Sequence, residues 1–210
     1  LFIVDDHPIV RKGLAQLINQ EPDMIVYGEA DDAQSAMEFL KKSQPDLAIV
    51  DISLKGIDGI ELIKKIRMRY ENLPVLVVSM HDESLFAERA LRVGARGYIM
   101  KQEAIEKMME AIRRVLRGEI YISEKVSESI VKKFINGKNE STFSPIEVLS
   151  DRELEDFQLI GQGFGTREIA QQLNVSVKTV ESYRANIKDK FKLKNATELL
   201  KDAIHWVDNR

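Results

Sequence analysis

The sequence predicts a doubly wound α/β domain built on a five-stranded parallel sheet, followed by a small all-helical domain. Three observations predict it. Short apolar runs alternate with stretches of helical periodicity through the first half of the chain, the signature of strands joined by crossover helices. Beyond Pro145 only helical periodicity remains. Between the two lies a polar, Gly-containing stretch, Asn136 to Thr142, of the kind that marks a domain boundary. A length of 210 residues suggests one large or two small domains.

The elements follow in order. Leu1-Phe2-Ile3-Val4 is an apolar run ending in Asp5-Asp6-His7-Pro8. Proline suits the first turn of a helix, and Ile9, Val10, Leu14, Leu17 and Ile18 continue at helical spacing. Met24 to Tyr27 predicts a second strand, followed by a helix near Ala33 to Lys42. Leu47 to Val50 is a buried strand that ends abruptly in Asp51, and Ile60, Leu62, Ile63 and Ile66 mark a helix ending near Tyr70. Pro74 to Val78 predicts a strand ending in Ser79, with a helix from about Ser84 to Val93. Gly97 to Met100 predicts a strand ending in Lys101, with a helix from Ala104 to Leu116. Right-handed crossovers place the carboxyl ends of all five strands on one rim. The expected domains are 1-117, a linker with a short helix over 118-144, and 145-210.

Composition narrows the classes. The formal net charge is −3 and no cysteine is present, which excludes a disulfide framework and a thiolate metal site. No apolar run approaches the ~18 residues of a membrane span. The printed sequence starts on an apolar strand without a signal-peptide pattern or an initiator methionine, so a few preceding residues are expected. The expectation is a soluble, cytoplasmic protein without a membrane partner.

The rim collects a specific chemistry. Asp5 and Asp6 end the first strand, Asp51 the third, Ser79 the fourth and Lys101 the fifth. Clustered carboxylates repel one another unless a cation sits among them. Hard oxygen ligands suit Mg²⁺, which binds through one or two carboxylates and phosphate oxygens. Asp51 is then a nucleophile able to form an aspartyl phosphate, taking the group from an acyl-phosphate donor. Lys101 supplies a second cation and Ser79 a hydroxyl donor. The alternative for Asp51 is a carboxylate that caps the following turn. His7 is expected to serve helix entry beside Pro8.

In the C-terminal part, Ser150-Asp151-Arg152-Glu153 fits a capping box opening a helix with Leu154, Phe157 and Ile160. A short helix, Arg167 to Leu173, is followed by a tight turn at Asn174-Val175-Ser176. Ser176 then caps a longer helix from Val177 to about Phe191, and a last helix carries Leu199, Leu200, Ala203, Ile204 and Val207. Two helices joined by a few residues, the second longer, describe a helix-turn-helix. The module from Pro145 onward is not basic overall, with ten Lys/Arg against eleven Asp/Glu. Between Lys178 and Lys194, however, six basic residues face only Glu181 and Asp189. That is either a footprint for a phosphate backbone or a solvated helix face.

These residues carry a resemblance. Asp5-Asp6, Asp51, Ser79 and Lys101 at their spacings look like the receiver domain of two-component response regulators, with its flavodoxin-like fold. The resemblance implies that Asp5, Asp6, Asp51 and the backbone carbonyl of Ser53 hold Mg²⁺. It also implies that Asp51 is the phosphoacceptor, that Ser79 moves onto the phosphoryl group, and that Tyr98 rotates inward. Met80 and Leu54-Lys55 depart from the commonest pattern without removing a catalytic group. Leu149 to Glu153, Gly163, Glu168-Ile169-Ala170 and Val175 to Val180 resemble the LuxR-type tetrahelical DNA-binding domain. Together the two halves are similar to the NarL/FixJ family. The resemblance implies that the helix from Val177 lies in the major groove of double-stranded DNA. Glu181, Ser182 and Ala185 then face bases, and Lys178, Thr179, Tyr183, Arg184 and Lys188 lie near phosphates. It also implies a homodimer when phosphorylated, made through Leu199, Leu200 and Ala203 on inverted half-sites, and a cognate sensor histidine kinase as partner.

Three alternatives stand beside this reading. An enzyme working through a phospho-aspartate usually carries a second carboxylate two residues on, and Ser53 stands there instead. The helical module could serve protein or RNA interaction. Regulation could also proceed without phosphorylation, through concentration-dependent dimerisation.

Overall fold

A computed structural model of the chain describes residues 1–54, 59–103, 105–135 and 145–208. The chain divides into two compact units, Leu1–Asn139 and Glu140–Arg210. In the first unit, strands β1 (Phe2–Val4), β2 (Gly28–Ala30), β3 (Ala48–Val50), β4 (Val75–Ser79) and β5 (Gly97–Met100) form one sheet in the order β2-β1-β3-β4-β5. Every strand pairing is parallel. Helices α1 (Pro8–Ile18), α2 (Ala33–Leu40), α3 (Gly59–Arg69), α4 (Glu83–Arg92) and α5 (Ile105–Leu116) alternate with the strands.

Strand side chains alternate between faces. Ile3, Leu47, Ile49, Leu76, Val78 and Ile99 share one buried cluster with Leu14 and Ile18 of α1 and with Met108, Ile112 and Val115 of α5. Phe2, Val4, Val50, Val77 and Tyr98 belong to the opposite face, where Phe2 stacks on Phe39 of α2 with ring centroids 4.4 Å apart. Burial on both faces explains why these strands read as continuous apolar runs. Local capping sets where helices begin: Asp32 accepts from the Ser35 amide at 2.7 Å, Asp82 accepts from the Ser84 amide at 2.8 Å, and Pro8 opens α1.

The second strand departs from the expectation of Met24 to Tyr27. Parallel register sets Gly28–Ala30 opposite Phe2–Val4, and the Tyr27 amide already donates to the Leu1 carbonyl at 3.2 Å. The apolar residues before it stay outside the ladder, with Met24 and Val26 packed against the core as an approach segment. Hydrophobicity located the segment, while the pairing partner decided which residues became strand.

The segment after α5 stays on the first unit. Tyr121 forms a bridge with Gly97, its carbonyl accepting the Tyr98 amide at 2.8 Å, so it extends the sheet beyond β5. Helix α6 (Glu124–Ile135) follows, buries Val126, and ties Lys133 to Glu88 of α4. The polar stretch 136–142 lies outside the described residues.

The second unit holds four helices, α7 (Asp151–Gly161), α8 (Thr166–Gln172), α9 (Val177–Phe191) and α10 (Ala196–Asp208), after a 3₁₀ turn at Pro145–Val148. Both arms of the capping box at Ser150 and Glu153 are made. Asn174 adopts a left-handed φ of 53° in the turn between α8 and α9, and Ser176 caps α9 by accepting from the Thr179 amide at 3.1 Å. Phe157, Phe191 and Trp206 converge on the core of this unit. Gly161 lets α10 approach closely, since a Cβ there would stand 2.4 Å from the Ala203 carbonyl oxygen. Among the described residues no helix is long and apolar enough to cross a membrane.

Candidate functional site

In an open parallel sheet, groups gather beyond the carboxyl ends of the strands where the strand order reverses. With β1 between β2 and β3, that point lies between the ends of β1 and β3. Asp5 and Asp6 follow β1 there and Asp51 follows β3, all three buried. Backbone bonds set them in place: the Asp5 amide donates to Ala30 at 3.1 Å and the Asp51 amide to Val4 at 2.9 Å. Gly59, at the start of α3, presses directly on this turn. A Cβ at that position would stand 2.1 Å from the Asp51 carbonyl oxygen and 2.6 Å from the Ile52 Cα.

Lys101 reaches in from the end of β5. Its Nζ lies 2.6 Å from Asp5 Oδ2 and 2.8 Å from Asp51 Oδ2, with its side chain only 6% exposed. Burial pulls the ammonium down, but the Asp51 and Asp5 carboxylates outweigh it and hold the group above the ordinary lysine range. The other Asp51 oxygen accepts from the Ser53 amide at 3.2 Å. Asp5, Asp6, His7 and Asp51 each bring a ligand atom within 4.8 Å of the others, a donor set rich in hard oxygen and compatible with a divalent cation. His7 stands at helix entry as expected, yet it also engages the cluster. Its Nδ1 lies 2.8 Å from Asp6 and 3.3 Å from Asp5, an involvement that its place beside Pro8 did not signal.

Ser79 is fully buried, and its hydroxyl accepts from the His81 amide at 3.2 Å. Tyr98 is turned inward, 1% exposed, with its hydroxyl donating to the His81 carbonyl at 2.8 Å. Burial, with the nearby carboxylates adding, pushes that phenol well above its ordinary range. His81 therefore links the two, and its ring Nε2 lies 2.6 Å from the Ser53 hydroxyl. Nothing in the sequence marked His81, because its role depends on the loop after β4 folding back over Ser53. Met80 is exposed.

In the second unit, Lys178, Glu181, Ser182 and Ala185 lie on the exposed side of α9, and Thr179, Tyr183, Arg184 and Lys188 are half-buried. Not all of the positive charge faces outward. Lys190 is ion-paired with Glu153 of α7, and Arg184 turns toward the buried Asp156, so the outward surplus is smaller than the sequence count. The three residues expected at the dimer contact differ in exposure. Leu199 and Ala203 are 2% and 0% exposed, on a helix that packs against α7, whereas Leu200 and Ile204 are 42% and 40% exposed. Leu200 and Ile204 are the most exposed large apolar residues of α10.

An acidic pocket at a sheet switch point, a buried lysine bridging two of its carboxylates and a separate helix-turn-helix unit define a regulator in which one domain receives a signal and another meets DNA. Residues 1–113 match the response regulator receiver domain, and residues 147–203 match the luxR family of bacterial regulatory proteins. The chain belongs to the two-component response regulators, of the NarL/FixJ type, and acts on DNA. It is 38% identical over 208 residues to the oxygen regulatory protein NreC of Staphylococcus carnosus (strain TM300), covering 97% of this chain and 96% of that protein. Among solved structures, RcsB of Salmonella enterica serovar Typhimurium, bound to promoter rprA with the phosphomimetic BeF3⁻, is 30% identical with a TM-score of 0.60, covering 95% of each chain. A LuxR-family two-component response regulator from Aurantimonas sp. SI85-9A1 is 34% identical with a TM-score of 0.59, covering 64% of this chain and 96% of that one.

Proposed function

We propose that phosphorylation of Asp51 controls the affinity of this protein for DNA. The observation that carries the reading is the placement of Asp51 at the switch point, 2.8 Å from a buried lysine that also engages Asp5. An Asp51 carboxylate oxygen attacks the phosphorus of a phosphoryl donor. A new O–P bond forms as the donor's bond to phosphorus breaks, and the donor leaves as a carboxylate or an imidazole. A cognate sensor histidine kinase fits the second case. Lys101 neutralises charge on the phosphoryl oxygens, and Ser79 gives up its His81 contact to donate to one of them. Asp5, Asp6, Asp51 and the Ser53 carbonyl would hold Mg²⁺, whose charge assists phosphoryl transfer when bound. The receiver acts only on its own phosphoryl group, in transfer and in loss, and turns over no other substrate.

The output side follows the same reading. Residues 1-117 receive the signal, 118-144 connect, and 145-210 bind DNA in the cytoplasm. α9 enters the major groove with Glu181, Ser182 and Ala185 toward bases and Lys178, Thr179, Tyr183 and Lys188 toward phosphates. Glu181 accepts from cytosine N4, so the operator differs from those read by basic side chains at this position. Two phosphorylated copies pair through Leu200 and Ile204 on inverted half-sites. The solved complexes of RcsB with promoter DNA and BeF3⁻ support this direction. Labelling by a small acyl-phosphate donor with Mg²⁺ tests the acceptor. Wild type takes up phosphate and Asp51→Ala does not, whereas undiminished labelling of the variant places the acceptor elsewhere.

A further inference from the structure

Arg184 lies on the inner stripe of its helix. Val180, Arg184 and Ile187 are spaced to share one face, and Val180 and Ile187 are fully buried. Lys178, Glu181, Ser182 and Ala185 occupy a different, exposed stripe. Facing Arg184 from α7 is Asp156, 0% exposed, with neither carboxylate oxygen hydrogen-bonded among the described residues. The Arg184 Nε lies 3.9 Å from Asp156 Oδ1 and has no hydrogen-bond partner of its own there. The neighbouring acids are already engaged: Glu153 holds Lys190, and Glu155 holds Arg152 at 2.7 Å. A bare buried carboxylate is strongly unfavourable without a compensating cation. Arg184 is the group placed to compensate it, and its location is set by that demand.

We propose that Arg184 is a positioning residue, held toward α7 by Asp156 so as to fix the pose of α9, and that it makes no phosphate contact of its own. The proposal rests on the reading of α9 as the DNA-facing helix. It parts from the position-by-position expectation for Arg184, because the group that captures it is a buried acid of α7 whose neighbours Glu153 and Glu155 already hold other cations. Each neutralised phosphate contributes about 0.9 to the slope of log affinity against log salt. A positioning residue contributes nothing to that slope while still altering affinity.

The test uses the full chain and a fluorescent random-sequence DNA duplex, titrated over a salt series at about pH 8, where Asp156 is mostly ionised. Arg184→Ala is expected to bind about 10-fold more weakly at each salt concentration, with the slope unchanged. The pair variant Asp156→Val with Arg184→Met replaces both charges by apolar groups, and regains affinity to within about 3-fold of wild type at the same slope. This rescue separates positioning from simple loss of a cation, and the pair variant decides the matter if Arg184→Ala does not fold. A slope reduced by about 0.9 in either variant overturns the proposal, as does a pair variant no tighter than Arg184→Ala. Lys188→Ala marks failure of the underlying reading: if it too leaves the slope unchanged, α9 does not meet phosphates and both claims fall.

Discussion

Replacing Lys101 by methionine removes the cation between two buried carboxylates and keeps an unbranched stem one heavy atom shorter. Its Nζ lies 2.6 and 2.8 Å from Asp5 and Asp51, whose side chains are 5% and 2% exposed. Breaking a buried ion pair by deleting one partner costs about 3–5 kcal/mol, because the remaining charge stays desolvated. Here two like charges are left beside each other, so the upper part of that range applies. In a unit of this size 1 kcal/mol moves the midpoint by roughly 3 °C, which predicts a fall on the order of 10–15 °C. The uncompensated carboxylates also attract a divalent cation more strongly. Saturating Mg²⁺, at about 100 times its Kd, returns ~2.7 kcal/mol, and at equal Mg²⁺ the variant gains more than wild type. Thermal unfolding of both proteins with and without Mg²⁺ measures this. A variant within about 1 kcal/mol of wild type, or an equal Mg²⁺ shift in the two, refutes the view that Lys101 is the resident counter-charge of the site.

Gly59→Ala places a Cβ 2.1 Å from the Asp51 carbonyl oxygen. Backbone must move, at a cost of about 1–3 kcal/mol, and phosphoryl labelling should fall by more than the stability loss explains. Unchanged labelling would show the turn to be tolerant. Burial raises the Asp156 carboxyl to about 7, with Arg184 opposing the rise and Glu153 adding to it. Between about pH 4 and 7 the folded state therefore holds a proton that the unfolded state has lost. Stability falls as pH rises through that window and levels off above it, by up to roughly 4 kcal/mol. Asp156→Asn removes this component, and an identical pH profile for wild type and variant contradicts the assignment. Lys188→Ala should flatten the salt dependence of DNA binding by about 0.9. Lys190→Ala should leave it unaltered while reducing stability, because its ammonium is bound to Glu153, and a salt slope changed equally by both refutes that distinction.

Most of the receiver was legible because its strands are buried on both faces and each polar strand end stands out against an apolar run. Asp51, Ser79 and Lys101 announced themselves in that way. The second strand did not, because Gly28-Glu29-Ala30 is neither apolar nor β-branched and pairs only because its register against β1 requires it. His81 and Tyr121 were silent for a related reason, since their roles rest on main-chain contacts made by a loop and by the segment after α5. In the helical unit the capping box and the turn at Asn174 were readable from local chemistry. Charge and stripe were the harder pair to combine. Counting lysines and arginines along α9 treats Arg184 and Lys190 as outward, whereas the spacing of Val180, Arg184 and Ile187 already assigns Arg184 to the buried face. Leu199 and Ala203 share a stripe at i and i+4, apart from Leu200 and Ile204, and that periodicity separates core from surface on α10.

The central claim is that the state of Asp51 sets the protein's affinity for DNA. The most direct measurement is binding of the full chain to a fluorescent random-sequence DNA duplex, with and without a small acyl-phosphate donor and Mg²⁺, for wild type and Asp51→Ala. The account predicts tighter binding by wild type when the donor is present and no response from the variant. Equal affinity of wild type in both conditions, or the same response from Asp51→Ala, would contradict it.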